Sequence, residues 1–97
     1  MYQVTDHINK LDFEGLKIKK LVAKEAAEVL IVSLEKGHRF PQHTAPRDVL
    51  LVMLEGEMVF YINDKEYLLK THQTFDFPAN TEHSVKAIQN AKFLLIR

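Results

Sequence analysis

Hydrophobic residues occur in short runs along the whole chain. The runs are rich in Val, Ile, Leu and Phe, and clusters of turn-forming residues interrupt them every eight to twelve positions. This spacing is typical of an all-β sandwich or barrel. It predicts eight strands, at residues 16–22, 28–34, 49–54, 57–63, 66–69, 74–77, 84–88 and 92–96.

The length and charge of the chain restrict its class. Its 97 residues predict one domain (1–97), with an N-terminal arm (1–15) to which the pattern assigns no secure structure. A domain of this size buries only about 60–65% of its unfolded surface, so a partner subunit would add stability. Thirteen basic and 13 acidic side chains give zero net charge, which disfavours binding to nucleic acid or to an anionic membrane.

The cysteine content limits the chemistry that the protein can perform, and the apolar segments indicate its cellular compartment. The chain has no cysteine, which excludes disulfides, thiolate metal ligands and a cysteine nucleophile. No segment has the apolar length of a membrane span, and the first residues lack a signal pattern. We therefore expect a soluble cytoplasmic protein.

Two short segments that each contain a histidine carry the most specific pattern. In the first, His43 lies six residues after Gly37, and Gly56 ends the segment. In the second, His83 lies five residues after Pro78. These segments resemble the two sequence motifs of the cupin superfamily, small β-barrel proteins that often hold a metal ion between the strands that carry the motifs. The resemblance covers roughly residues 29–96.

Half of the family's metal-ligand set is missing from this chain. The first motif has the family spacing, but Ala45 replaces its second histidine and Val49 replaces its glutamate. The second motif keeps Pro78 and its ligand His83. Its other marker positions hold different residues, namely His72, Asn80 and Ala87.

The resemblance implies an all-β fold of the double-stranded β-helix or jelly-roll type. It also implies a homodimer that packs or exchanges strands along one sheet, which would cover open strand edges. The first dozen residues are one candidate for an extra strand that pairs with a second subunit.

Strand alternation indicates which side chains share the barrel interior. If Val49 points inward, as its motif position implies, the barrel interior is apolar and has two imidazoles at one end. The same alternation turns Met58, Ile62 and Ala87 inward. The predicted ligand pocket comprises His43, Ala45, Val49, Leu51, Met53, Phe60, Phe75, Phe77, His83 and Val85.

His43 and His83 are the candidate metal ligands, because both occupy positions that supply ligands in the family. Losing two ligands of a metal centre costs roughly 10²–10⁴-fold in affinity. The sequence thus predicts no certain cofactor, with a weakly bound divalent cation (Zn, Ni, Mn or Fe) as the alternative. Asp48, His38 and His72 are the candidate replacement donors.

Three functions follow from this set of residues. The first is binding of a small organic ligand in the apolar pocket, with two histidine anchors and no demonstrated catalysis. The second is a metal-dependent enzyme of the dioxygenase or isomerase type with an atypical two-histidine site. The third is a structural or regulatory homodimer whose interior is simply packed. The fold alone does not choose among them.

Overall fold

The computed structural model describes residues 2–97, most of which lie in β-strands. A short helix precedes the strands. The elements are α1 (His7–Lys10), β1 (Leu16–Ala23), β2 (Glu28–Leu34), β3 (Arg39–His43), β4 (Val49–Glu55), β5 (Glu57–Ile62), β6 (Lys65–Lys70), β7 (Thr74–Phe77), β8 (His83–Ala87) and β9 (Ala91–Ile96). No helix among residues 2–97 is long and apolar enough to cross a membrane.

The strands form two sheets that face each other across the core. The first sheet has the order β1-β2-β9-β4-β7, and the second has the order β3-β8-β5-β6. Every strand pair is antiparallel, and most neighbours within a sheet are distant in sequence. This arrangement is the jelly-roll, or double-stranded β-helix, that the sequence predicts.

All eight predicted strands are present, with ends that agree within one residue. The prediction missed β3, which contains Pro41 and borders no long apolar run. Proline lacks a backbone N–H, so it is tolerated at the edge of a sheet and rarely in its centre. Because β3 is an edge strand of the second sheet, the ladder accommodates Pro41 there.

The inward alternation that the sequence predicts is confirmed by burial. Nearly all residues of the predicted inward set are less than a tenth exposed, and Phe75 is partly buried. The buried members are Val49, Leu51, Met53, Met58, Phe60, Ile62, Phe77, His83, Val85 and Ala87. Asp76, which alternates with the two phenylalanines of β7, is exposed.

The N-terminal segment packs against the outer face of the first sheet. The Ser33 hydroxyl donates a hydrogen bond to the carbonyl of Asp12 at 2.8 Å. The buried ammonium of Lys92 donates to the carbonyl of Ile8 at 2.8 Å and lies 4.9 Å from the centre of the Phe13 ring. These contacts hold residues 8–13 on the sheet.

The prediction of an extra strand in the first dozen residues is wrong for residues 7–10, which are helical. The Asp6 carbonyl accepts a hydrogen bond from the Lys10 amide at 3.1 Å, and its carboxylate accepts one from the Asn9 amide group at 2.7 Å. Local bonds of this kind favour a turn over an extended strand.

Candidate functional site

The two motif histidines meet at one end of the barrel. His43 on β3 pairs directly with His83 on β8. Their ring centroids are 4.2 Å apart, in an edge-to-face arrangement. His83 is 4% exposed, whereas His43 is partly buried. The pair therefore lies at the boundary between core and solvent.

A β-bulge brings Phe40 to the same face as His43. The register of β3 against β8 shifts between these two residues. In a regular strand, residues three apart point to opposite faces, and the bulge removes that alternation. The two rings stack with centroids 4.1 Å apart and planes 14° apart. The sequence analysis did not identify Phe40 as a site residue. An aromatic residue followed by a proline does not by itself indicate a β-bulge.

Aromatic rings surround His83 on its inner side. The Phe60 ring lies parallel to the imidazole at 5.3 Å, and the Phe77 ring lies 4.5 Å away at an angle. Phe75 extends the cluster, with its ring 4.8 Å from Phe60. The histidine pair thus has a closely packed aromatic floor.

Backbone carbonyls determine the tautomer of both imidazoles. Nδ1 of His43 lies 2.6 Å from the carbonyl oxygen of Pro41, and Nδ1 of His83 lies 2.9 Å from that of Thr81. A carbonyl oxygen only accepts, so Nδ1 carries the proton in each ring. In the neutral form Nε2 is then unprotonated, which is the state that binds a metal ion or a hydrogen-bond donor.

Burial lowers the pKa of the His83 imidazole below its ordinary value of 6.5. The carbonyl of Thr81 opposes this effect, and the neighbouring His43 ring adds to it. Desolvation penalises the charged form, so His83 is neutral at neutral pH.

Acidification is expected to destabilise the fold through His83. Below about pH 6.5 the unfolded chain protonates this histidine, whereas the native ring resists protonation. The free energy of unfolding should therefore fall as pH decreases from 7 to 5. Urea unfolding at several pH values measures this slope, which should be shallower in His83→Gln than in the native protein.

His38→Gln is the matched control, since the His38 side chain is 52% exposed. The Arg97 guanidinium and the Lys20 ammonium hold the pKa of the Glu28 carboxyl below its ordinary value of 4.5. Glu28 therefore titrates below the range from pH 7 to 5 in which His83 is tested. An unchanged slope in His83→Gln between pH 7 and 5 would contradict the assignment.

Most of the predicted pocket residues are packed as core in this structure. Leu51, Met53, Phe60 and Val85 are at most 2% exposed and belong to one hydrophobic cluster. Ala45 and Val49 are also buried. That these residues line a ligand pocket stays a prediction.

An open depression of about 680 Å³ lies beside the histidine pair and includes His83. Its lining is mostly polar and contains no other residue of the predicted pocket. Its remaining lining is Gln42, Tyr61, Ile62, Asn63, Asp64, Lys65, Glu66, Asn80, Thr81, Glu82 and Ser84.

The donors at this site do not complete a metal centre of the kind that the family often carries. His43 and His83 supply two nitrogen ligands, while Ala45 and Val49 have no donor atom. Within residues 2–97 no group of three or more His, Cys, Asp or Glu side chains is placed to hold a metal ion. A divalent cation usually takes at least three protein ligands, so the two imidazoles do not fit a tight site.

The three candidate replacement donors lie elsewhere in the fold. The Asp48 carboxylate accepts a hydrogen bond from the Ala79 amide at 2.9 Å, which joins two loops. Nε2 of His38 is 3.5 Å from the Glu35 carboxylate, and His72 is in a turn with φ of 68°. The structure therefore does not bring them into the histidine pair.

Comparison with known structures finds the same fold in several bacterial proteins. A conserved protein of unknown function from Streptococcus pyogenes is 24% identical, with a TM-score of 0.84, over 99% of this chain and 86% of that one. An RmlC-like cupin protein from Desulfovibrio desulfuricans is 19% identical, with a TM-score of 0.85, over 99% and 95% of the two chains. A search of curated proteins gave no match.

A closer sequence likeness is to the cupin 2 conserved barrel domain protein from Leptotrichia buccalis. It is 33% identical with a TM-score of 0.83, over 91% of this chain and 44% of that one. The sequence model of the cupin domain family matches residues 30–97, which include both histidine motifs. On this match and the jelly-roll fold, the chain belongs to the cupin family.

Proposed function

We propose that this protein binds a small organic molecule at the mouth of the barrel, with His43 and His83 as its two polar anchors. The observation that carries this proposal is the pair of imidazoles 4.2 Å apart whose Nδ1 atoms both bond to backbone carbonyls. Each neutral ring offers an unprotonated Nε2, which accepts a hydrogen bond and does not donate one. The complementary ligand group is a hydroxyl or an N–H.

The surroundings of the pair favour a ligand with a flat apolar body. Phe40 stacks on His43, and both rings are only partly buried. Phe75, also partly buried, lies beside Phe60 at the border of the aromatic cluster. The lowered pKa keeps His83 neutral at pH 7, so this ring does not attract a carboxylate. A phenolic hydroxyl combines the aromatic body with the required donor.

The close packing of the interior favours a second candidate, a structural or regulatory homodimer. Leu51 and Met53 are fully buried, and Phe60 is 1% exposed, so these side chains beneath the histidine pair are closed off from solvent. Under this alternative the imidazoles are polar groups that close the end of the core. The two candidates differ in whether a probe contacts Nε2.

Phenol, benzene and benzoate form a matched series of probes, since they share one ring and differ in polar group. Phenol should bind with a dissociation constant of about 1 mM, a realistic affinity for so small a molecule. Benzene and benzoate should bind more weakly. Two-dimensional NMR of the imidazole ring protons measures the binding and identifies the histidines in contact.

His43→Phe and His83→Phe test the anchors, because each substitution keeps an aromatic ring and removes Nε2. Both should reduce phenol binding to the level of benzene. His38→Phe is the control, because His38 is a largely exposed histidine outside the pair. Phenol binding that persists in both variants would contradict the proposal, and so would the absence of binding at 10 mM.

A parallel titration distinguishes the metal-dependent alternative. Phenol should bind equally in the presence of a chelator and after addition of zinc, nickel, manganese or iron(II). Binding that requires one of these cations would contradict the metal-free anchor role and favour the atypical two-histidine enzyme.

A further inference from the structure

The open depression beside the histidine pair has the size of a small-molecule site. Its volume of about 680 Å³ lies within the usual range of about 300–1,000 Å³. Strand register explains its position, because His83 pairs with His43 on one side and with Ile62 on the other. Ile62 is the last residue of β5, so the turn to β6 begins directly beside His83. The depression and the histidine pair therefore share one end of the barrel.

His83 connects the two regions, because it lines the depression and its ring belongs to the pair. The residue is 4% exposed, and within residues 2–97 its imidazole makes one hydrogen bond, from Nδ1 to the carbonyl of Thr81. Across the same residues, no fully buried side-chain nitrogen or oxygen lacks a hydrogen-bond partner. Since Nε2 of His83 has no partner, this atom is not fully buried. A ligand bound in the depression can therefore contact the free acceptor of His83.

Negative charge predominates in the lining of the depression. Asp64, Glu66 and Glu82 are exposed carboxylates, whereas Lys65 supplies one ammonium. Asp64 and Glu66 form no ion pair with any residue in the described part of the chain. Both carboxylates are thus available to a ligand. A site with this charge favours a cationic group over an anionic one.

Tyr61 adds an aromatic surface that already contacts a cation. The guanidinium carbon of Arg39 lies 5.7 Å from the centre of the Tyr61 ring, which is the distance of a cation–π contact. Arg39 is near the depression but does not line it. With Arg39 included, the region has three carboxylates and two cationic side chains, so the excess of negative charge persists.

We propose that the ligand of the histidine pair also carries an ammonium group, which lies in the depression beside Asp64 and Glu66. The ligand class is then a phenolic amine, whose hydroxyl donates to Nε2 of an imidazole while its ammonium faces the two carboxylates. This inference rests on the proposed function, because the ring and the hydroxyl occupy the site described there. The carboxylates are exposed, so their contribution is modest and is weakened by salt.

Three phenols with matched side chains isolate the effect of the charge. Tyramine carries an ammonium, 4-propylphenol has a methyl group in its place, and 3-(4-hydroxyphenyl)propanoate carries a carboxylate. At about 20 mM salt, NMR of the imidazole ring protons should give tyramine a dissociation constant at least about fivefold below that of 4-propylphenol. The propanoate should bind most weakly. At about 500 mM salt, the difference between tyramine and 4-propylphenol should fall below about twofold.

The double variant Asp64→Asn with Glu66→Gln tests the two carboxylates. Both substitutions keep the side-chain size, and asparagine tolerates the φ of 59° at residue 64. This variant should bind tyramine no more tightly than 4-propylphenol, with its affinity for 4-propylphenol unchanged. Asp76→Asn is the matched control, because Asp76 is an exposed carboxylate on β7 that does not line the depression. It should keep the native preference for tyramine.

The outcomes separate this inference from the proposed function. If phenol binds to the histidine pair but tyramine binds no more tightly than 4-propylphenol, the ammonium site is overturned and the proposed function stands. If phenol does not bind at 10 mM, the proposed function fails. A preference for tyramine that persists in the double variant, or that Asp76→Asn removes, would overturn the role of Asp64 and Glu66. Tyramine binding that is unchanged in both His43→Phe and His83→Phe would contradict a ligand shared between the pair and the depression.

Discussion

Replacement of Gly56 by alanine is expected to lower the free energy of unfolding by several kcal/mol. Gly56 joins β4 to β5 with φ of 86°, a conformation that costs other residues about 1–2 kcal/mol. A Cβ atom there would lie 2.1 Å from the carbonyl oxygen of Asn90 and 2.8 Å from Cα of Ala91. Both obstacles are backbone, so the β4–β5 turn must move away from β9.

The total cost of Gly56→Ala should therefore be several kcal/mol, against a typical domain stability of about 5–15 kcal/mol. Thermal unfolding followed by circular dichroism measures it. Gly37→Ala is the matched control, because Gly37 has φ of 83° but no heavy atom within 4 Å of its Cβ position. Gly37→Ala should incur only the cost of the backbone strain, which lowers Tm by about 4–16 °C. Equal losses in the two variants would contradict the role of the Asn90 contact.

Truncation of Phe60 to alanine is expected to cost about 3–5 kcal/mol in the free energy of unfolding. Phe60 is 1% exposed, and its ring lies within 5.3 Å of the rings of Phe75, Phe77 and His83. Removing it leaves an apolar cavity at the centre of the aromatic cluster. Urea unfolding measures the loss, and benzene should partly restore stability by filling the cavity.

Phe75→Ala is the comparison, because Phe75 is only partly buried at the border of the same cluster. It should lose less stability than Phe60→Ala. A loss below about 1 kcal/mol for Phe60→Ala would mean that the ring is not packed, which would favour an open ligand pocket in the barrel interior.

Strand positions and facing were predictable because both depend on local features. Met58 and Phe60 alternate with less buried neighbours, and turn residues such as Asn63 and Asp64 lie within a few residues of the same strand. The strand that contains Pro41 was not predictable, because its pairing depends on an edge position that only the assembled sheet provides.

The sequence by itself determined an all-β sandwich or barrel and the inward phase of its strands, and its resemblance to the cupin motifs implied the jelly-roll type and the incomplete ligand set. Periodicity, turn residues and motif spacing express these properties along the chain. Only the tertiary structure decided that Phe40 stacks on His43, that both Nδ1 atoms bond to carbonyls, and that the interior beneath them is packed. The stacking depends on a bulge, and the two Nδ1 contacts depend on the backbone conformation of the two residues before each histidine. The burial of the interior depends on the close approach of residues distant in sequence, which spacing along one chain does not encode.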